Sequence, residues 1–165
     1  MKPILQLAVI FFLLLDFCCG CKTVAVTGRK QLNLVPNILI TSMSFAAYDS
    51  VVHTSATLPQ TDTRAAMITR VGSKIQHAVE DYMLQHKIGK ELKDFKWDFN
   101  TINENIVNAW CMPGGKIVVY TGLLPITQNE AALAVVMGHD VSHALLQHGS
   151  HRMSHQMGAL AVQAG

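Results

Sequence analysis

The sequence predicts an α+β fold in which helices pack with a small antiparallel sheet. Residues 62–87 place apolar side chains at helical spacing, as in an amphipathic helix. Three short segments between residues 95 and 121 have the length and composition of strands, with turn residues between them. A second apolar run, at about 128–148, follows a helix-start pattern. Together these features predict one mixed domain.

Composition excludes several classes of protein. The chain has 165 residues, enough for one domain, and a formal net charge of +2, too mild for a nucleic-acid-binding surface. Apolar residues make up 50% and charged residues 15%, which excludes a disordered chain. Four cysteines are too few for a disulfide scaffold.

The N-terminus has the features of a secretory signal. Lys2 precedes an apolar run at 4–15, which suits a signal-peptide core and is short for a membrane span. Gly20 and Cys21 follow, and this order resembles a bacterial lipoprotein cleavage box. We therefore predict a lipoprotein signal peptide at 1–20 and lipidation of Cys21. The alternative is an uncleaved membrane anchor.

Residues 21–36 are predicted to be an irregular lead-in, in which Thr27-Gly28-Arg29 is interpreted as structural rather than catalytic. Asn37 is a suitable N-cap for a helix at about 38–53. Leu58-Pro59 then breaks the chain before the amphipathic helix at 62–87.

The sheet is predicted from three segments. Aromatic and polar residues alternate at 95–100, as in a half-buried strand. Residues 106–112 form the second expected strand, and the turn residues at 113–115 lead into the third, at 116–121.

Thr127 and Glu130 have capping-box spacing and predict a helix at about 128–148. Residues 151–165 continue a helical pattern up to the last residue, Gly165, with no finishing element. We therefore expect the chain to be an N-terminal fragment of a longer protein.

Five of the eight histidines lie between residues 139 and 155. On a helix His139 and His143 differ by about 40°, so both imidazoles lie on one face and can bind one metal ion, zinc by preference. Asp140 stands where an H-E-x-x-H metallopeptidase helix has the glutamate that acts on a zinc-bound water. A bare H-x-x-x-H also arises by chance.

The other histidines are interpreted differently. His151 and His155 repeat the spacing, and a solvated helix face is the simpler reading. On a continuous helix His148 lies about 140° from His143, which excludes it from the same site.

Three blocks, taken in order, resemble the zinc metallopeptidases of family M48, which includes the CAAX prenyl proteases, the membrane protease HtpX and periplasmic proteases that monitor β-barrel assembly. The first block is residues 21–32, with Cys-x-x-Val-x-Val-Thr-Gly-Arg-x-Gln-Leu, and the second is residues 108–124, with Asn-Ala-Trp-x-Met-Pro-Gly-Gly-Lys-Ile. The third block is residues 129–154, with Asn-Glu-Ala and Gly-His-Asp-x-x-His-Ala. The likeness covers nearly the whole chain after Cys21.

This resemblance implies a gluzincin-type domain at 37–165, incomplete here, with one zinc ion per chain. His139 and His143 would be zinc ligands, and position 140 would hold the general base. The strand around Asn108 and Ala109 would pair with extended substrate through its backbone.

Three other residues in these blocks receive simpler interpretations. Gly114 and Gly115 are interpreted as a plain turn of the hairpin rather than a substrate contact. Cys111 is interpreted as a half-buried core residue, because nothing in the sequence marks it as a nucleophile.

Two departures from the family pattern bear on activity. Asp140 is one methylene shorter than glutamate, and a misplacement of about 1 Å can cost on the order of 100-fold in rate. The family's third ligand is a glutamate on a later helix, but no Asp or Glu follows Asp140.

Three hypotheses follow. The first is a zinc metalloendopeptidase of the bacterial cell envelope that cleaves protein or peptide substrates, such as misfolded envelope proteins. It is expected to be anchored by lipid to the outer membrane and to face the periplasm. The second is a pseudopeptidase that binds envelope proteins without cutting them. The third is a lipoprotein with a histidine-rich surface and no site. No nucleic-acid partner is expected, and the sequence gives no oligomeric state.

Overall fold

The computed structural model describes residues 21–163, so the signal peptide expected at 1–20 lies outside the described residues. The strands of this part are β1 (Cys21–Thr23), β2 (Lys30–Leu32), β3 (Asp98–Ile102), β4 (Ala109–Met112) and β5 (Lys116–Tyr120). The α-helices are α1 (Asn37–Thr54), α2 (Thr63–Gln85), α3 (Leu124–Thr127), α4 (Glu130–Leu145) and α5 (His148–Gln163). Across the described range, none of the helices combines the length and apolarity needed to span a bilayer.

The segment 21–36 contains a β-hairpin, so the expectation of an irregular lead-in is wrong. Strands β1 and β2 pair in antiparallel register. Gly28 closes the turn with φ +67°, and its N–H donates to the carbonyl of Val24 at 2.8 Å. Each strand has only three residues, too few for a period-two pattern to be visible in the sequence. The structural role expected for Thr27-Gly28-Arg29 agrees with this turn.

Helix α1 begins one residue before the predicted start, with Pro36 as its N-cap. Asn37 is therefore the first helical residue and not the cap. Its Oδ1 accepts a hydrogen bond from Asn33 Nδ2 at 2.8 Å, which ties the segment after β2 to the helix start.

Helix α2 confirms the amphipathic pattern. Asp62 is the N-cap, and its side chain accepts a hydrogen bond from the backbone N–H of Arg64 at 2.8 Å. Ala65, Ile68 and Val71 are buried at the spacing of one helix face.

The sheet is mixed, so the antiparallel prediction is wrong for one pair of strands. The strand order is β3-β5-β4, with β4 antiparallel to β5 and β3 parallel to β5. After β3, residues 103–108 carry the chain to the far edge, where β4 runs back. The tight turn after β4 then places β5 between β4 and β3, where β5 runs parallel to β3. The alternation of residues within one strand carries no information about the order of the strands in the sheet.

Two strands begin later than predicted. The ladder starts at Asp98 rather than 95, and the second strand at Ala109 rather than 106. The segment 103–108 is exposed, so it lacks the burial that a half-buried strand needs.

The residues before β3 pack over the β4–β5 turn. Gly114 and Gly115 have φ values of +89° and +81°. A Cβ on Gly114 would lie 2.4 Å from the ring of Phe45, and one on Gly115 would lie 2.8 Å from Trp97. The hairpin interpretation of both glycines agrees with this geometry, because only glycine combines left-handed backbone with such close contacts.

The main core lies between α2, the sheet and α4. Its buried members are Ile68, Val71, Phe99, Ile117, Val119, Leu123, Leu133, Met137 and Val141. Burial of each such aliphatic side chain contributes roughly 1.5–3 kcal/mol, so this layer holds α4 against the sheet. The α+β class is confirmed.

Candidate functional site: a histidine cleft

Helix α4 carries the predicted site residues, and its start differs from the prediction. Asn129 is the N-cap, and its Oδ1 accepts a hydrogen bond from the N–H of Ala132 at 2.9 Å. Thr127 lies in α3 and donates its hydroxyl to the carbonyl of Leu124 at 3.2 Å, so the capping box does not form. Gln128, at φ +61°, separates the two helices.

The two faces of α4 have opposite chemistry. Leu133, Met137 and Val141 are buried against the core, whereas His139 and His143 are exposed. The helix is therefore held by its apolar face, and that packing presents both imidazoles on the outer side.

His139 and His143 converge as the spacing predicts. Their Nε2 atoms lie 3.0 Å apart, and the two rings are nearly perpendicular, at 89°. Two nitrogens bound to one tetrahedral zinc at about 2.0–2.1 Å lie roughly 3.3 Å apart. The pair therefore fits two positions of a zinc shell with a small adjustment of the rings.

His148 contacts His143, which helical geometry on one continuous helix did not predict. Its Nδ1 lies 2.6 Å from Nδ1 of His143. Helix α4 ends at Leu145, and Gln147 adopts a left-handed backbone with φ +55°. The prediction failed because it assumed one continuous helix to about 148. The sequence offered no local signal for this corner, since glycine or asparagine is the usual residue there.

The corner between α4 and α5 is braced by the N-terminal hairpin. Gln31 is buried, and its Nε2 donates to the carbonyl of Leu146 at 3.5 Å. The N–H of Leu34 donates to Oγ of the buried Ser154 on α5 at 3.0 Å. Gln31 and Leu34 therefore help to hold α5, the helix that carries His148.

A cleft of about 520 Å³ surrounds these imidazoles, and we call it the histidine cleft. Its lining residues are Trp110, Cys111, His139, Asp140, His143, His148, His151 and Arg152. A second hollow, of about 400 Å³, contains none of these residues.

Asp140 and His148, which both line the histidine cleft, have shifted pKa values. Burial raises the pKa of Asp140, while the neighbouring His139 and His143 oppose the rise. Burial also lowers the pKa of His148, and electrostatic interactions with His143 and Arg29 add to that effect. This direction favours the neutral imidazole, whose unprotonated nitrogen can accept a hydrogen bond.

Cys111 lies beside the site without the properties of a nucleophile. Burial, and after it the charge of Asp140, raises the pKa of its thiol to about 12. Its Sγ makes a weak hydrogen bond to the carbonyl of Met112, at 3.5 Å. The interpretation as a half-buried core residue agrees with this environment.

The predicted substrate-binding residues lie at the sheet edge next to the cleft. Ala109 is the first residue of β4, an edge strand of this sheet, and α4 packs against that strand. The carbonyl of Asn108 accepts from the N–H of Tyr120 at 3.1 Å, so it faces β5 rather than the open edge.

The other histidine pair lies farther along α5. The rings of His151 and His155 are 4.3 Å apart, with His151 half-buried and His155 exposed. Within residues 21–163, no group of three or more His, Cys, Asp or Glu side chains is arranged to hold a metal ion. The described residues therefore bring no third side chain of these types together with His139 and His143 in a metal-binding arrangement.

Comparison with known proteins finds a family profile that covers the residues of this cleft. The sequence profile described as Peptidase family M48 matches residues 69–165, more than half of the chain. Mitochondrial metalloendopeptidase OMA1 of Arabidopsis thaliana is 46% identical over 63 residues, which cover 38% of this chain and 13% of that protein.

Two further relatives extend the comparison. Human mitochondrial metalloendopeptidase OMA1 is 24% identical over 129 residues, 77% of this chain and 23% of that protein. The beta-barrel assembly-enhancing protease of Escherichia coli is 36% identical over 58 residues, 35% of this chain and 12% of that protein. The chain thus spans less than a quarter of the length of these curated relatives.

Proposed function

Because the chain belongs to peptidase family M48, we propose that it is a zinc-dependent metalloendopeptidase whose reaction takes place in the histidine cleft. Members of this family are zinc-dependent metalloproteases in general. The observation that carries the proposal is the 3.0 Å approach of the Nε2 atoms of His139 and His143 on the exposed face of α4.

His139 and His143 would hold the ion, which when bound would polarise a water or a peptide carbonyl. The two imidazoles are two of the three protein ligands that an open catalytic zinc site uses. Asp140, one residue after His139, lines the same cleft and would take the proton of the attacking water. Its raised pKa, caused by burial, is the direction that suits a proton acceptor.

The position of β4 supports an extended peptide substrate. A sheet edge offers backbone N–H and C=O groups to a strand laid beside it. Ala109 begins this edge, and Trp110 and Cys111 line the histidine cleft. A peptide paired with β4 would therefore pass next to the histidine pair. Asn108, the residue before this edge, has its carbonyl bonded to Tyr120 of β5 and is proposed to contact the peptide through its other groups.

Cleavage of a fluorogenic peptide, with and without a zinc chelator, tests the activity. Zinc added back after the chelator should restore cleavage, and His139→Ala should abolish it. His155→Ala is the matched control, because it removes an exposed imidazole from α5 and should leave the rate unchanged. Cleavage that survives both the chelator and His139→Ala would refute the proposal.

A pseudopeptidase is the second candidate, and one observation favours it. The Asp140 carboxylate stands on a helix fixed by its buried face and ends about 1.5 Å short of the reach of a glutamate. Retained binding of an unfolded polypeptide, measured by fluorescence anisotropy, together with no hydrolysis at full zinc occupancy, would establish this alternative.

We also propose that the protein is a lipoprotein of the bacterial cell envelope, with protein quality control as its role. The predicted signal at 1–20, the Gly20-Cys21 pair and the likeness to the Escherichia coli protease support this location. Two or more acyl chains would be needed for stable attachment. Mass spectrometry of the membrane fraction should find an acylated N-terminus at Cys21, and a different, unmodified N-terminus would refute lipidation.

A further inference from the structure

We propose that His148 is a positioning residue that prepares His143 for metal binding by accepting a hydrogen bond from its Nδ1–H. This inference rests on the proposed zinc site at His139 and His143. The observation behind it is the 2.6 Å separation between the Nδ1 atoms of His143 and His148, a hydrogen-bonding distance.

The two contacts of His143 restrict where its proton lies. Nε2 of His143 meets Nε2 of His139 at 3.0 Å, and its Nδ1 meets His148. One arrangement has His139 donating to His143 and His143 donating to His148. The reversed arrangement places a proton on Nε2 of His143, where it would block a metal ion. Acceptance by His148 therefore selects the tautomer in which Nε2 of His143 is unprotonated, and metal binding would then displace only the proton on Nε2 of His139.

His148 supports the pair without belonging to it. Its Nδ1 contacts the nitrogen of His143 on the ring edge away from His139. A metal ion held between the two Nε2 atoms would lie on the opposite side of the His143 ring from His148. A ligating histidine commonly uses its second nitrogen for such an outer partner, which fixes the orientation of the ring.

The backbone holds His148 in this place. Gln147 turns the chain at φ +55°, and its carbonyl accepts from the N–H of His151 at 3.1 Å to start the next helix. The bond from Leu34 to the buried Ser154 anchors that helix from the other side. The imidazole of His148 is therefore carried by a helix that is also held by the segment after β2.

Calorimetric titration of the purified protein with zinc tests the inference. His148→Ala should weaken zinc affinity by about 10–100-fold, the usual cost of removing such an outer partner. His148→Asn should keep affinity within about threefold, because its Oδ1 can accept at the place of Nδ1. His155→Ala, the control on the same helix, should bind as the unmodified protein does. Circular dichroism checks that each variant is folded.

The outcomes separate the inference from the proposed function. If His139→Ala abolishes zinc binding while His148→Ala leaves it unchanged, His148 does not position His143 and the inference is wrong. If His148→Asn loses as much zinc affinity as His148→Ala, then His148 does not act by accepting a hydrogen bond from His143. If His139→Ala itself has no effect, the proposed zinc site is wrong and the inference falls with it.

A second measurement needs no substitution. Nitrogen-15 NMR of the histidine rings distinguishes a protonated nitrogen from one with a free lone pair. In the zinc-loaded protein His143 should carry its proton on Nδ1, and Nδ1 of His148 should be unprotonated and not bound to metal. A zinc-bound Nδ1 on His148, or an unprotonated Nδ1 on His143, would overturn the inference.

Discussion

The carboxylate of Glu130, the first residue of α4, is paired with the guanidinium of Arg70 in the middle of α2. Arg70 Nε lies 3.1 Å from Glu130 Oε1, and Nη2 bonds the same oxygen. Lys74, one turn farther along α2, approaches the other oxygen at 3.4 Å. These contacts join the start of the histidine-bearing helix to the longest helix of the described chain, outside the apolar core.

Glu130→Gln should lower stability near neutral pH and have a smaller effect in acid. Hydrogen bonding from Arg70 lowers the pKa of Glu130, so the pair stabilises the fold above the unfolded pKa of about 4.3. That contribution is lost as the pH falls through the lower folded pKa. Urea midpoints at about pH 7 and pH 3 should show the difference and its reduction at the lower pH.

Glu80→Gln is the matched control for that experiment. Glu80 accepts a hydrogen bond from Gln76 within α2 and does not reach α4. Its substitution should leave the midpoint nearly unchanged at both pH values. An equal loss in both variants would show that net charge, and not the connection between the helices, determines the effect.

In a form of the protein that has a complete zinc site, Asp140→Glu should raise peptidase activity by at least about tenfold. Glutamate adds about 1.5 Å of reach on a fixed helix, and a misplacement of about 1 Å costs on the order of 100-fold. Zinc affinity should change little, because position 140 is not a proposed ligand. Cleavage of a fluorogenic peptide at matched zinc occupancy measures the change. Equal rates would mean that the helix shifts to accommodate aspartate or that another group is the base.

Cys111 should resist alkylation in the folded protein. Burial raises the pKa of its thiol to about 12 from 9.0, which lowers the thiolate fraction roughly 1,000-fold. Iodoacetamide at about pH 8, followed by peptide mass spectrometry, should modify Cys111 slowly until urea unfolds the chain. Rapid modification in the folded state would contradict the buried assignment.

Gln128→Gly should stabilise the protein by up to about 1 kcal/mol. Gln128 is exposed and adopts φ +61° between α3 and α4, a conformation that costs an L-residue about 1–2 kcal/mol and glycine little. Glycine's greater freedom in the unfolded chain offsets part of the gain. Thermal denaturation should show a higher midpoint for Gln128→Gly than for the unmodified protein.

Ala78→Gly supplies the opposite control for Gln128→Gly. Ala78 is an exposed residue in the interior of α2, where the backbone is right-handed. Glycine there should cost about 1 kcal/mol. Destabilisation by both substitutions would show that the left-handed conformation of Gln128 is not strained in solution.

Local sequence patterns predicted the helices but misplaced several of the helix ends. The amphipathic spacing of α2 was predicted within about two residues. The start of α4 was misassigned because Thr127 and Asn129 both suit a cap, and the backbone at Gln128 decides between them. Strand β3 began at Asp98 because the ladder depends on where β5 lies, which alternation at 95–100 does not indicate.

The family resemblance found in the sequence is confirmed. The lipid anchor at Cys21 and the catalytic role of Asp140 stay predictions. His148 was excluded by helical geometry that holds only while the helix continues. Its place in the cleft depends on the turn at Gln147 and on the bracing by Gln31.

The sequence by itself determined the approach of His139 and His143, because four residues on one helix make one turn whatever surrounds them. Only the tertiary structure decided the strand order β3-β5-β4 and the contact between His143 and His148. Both depend on where distant segments meet and on the left-handed backbone of Gln147. Periodicity reports which face of an element is buried, and it carries no information about which neighbour covers that face.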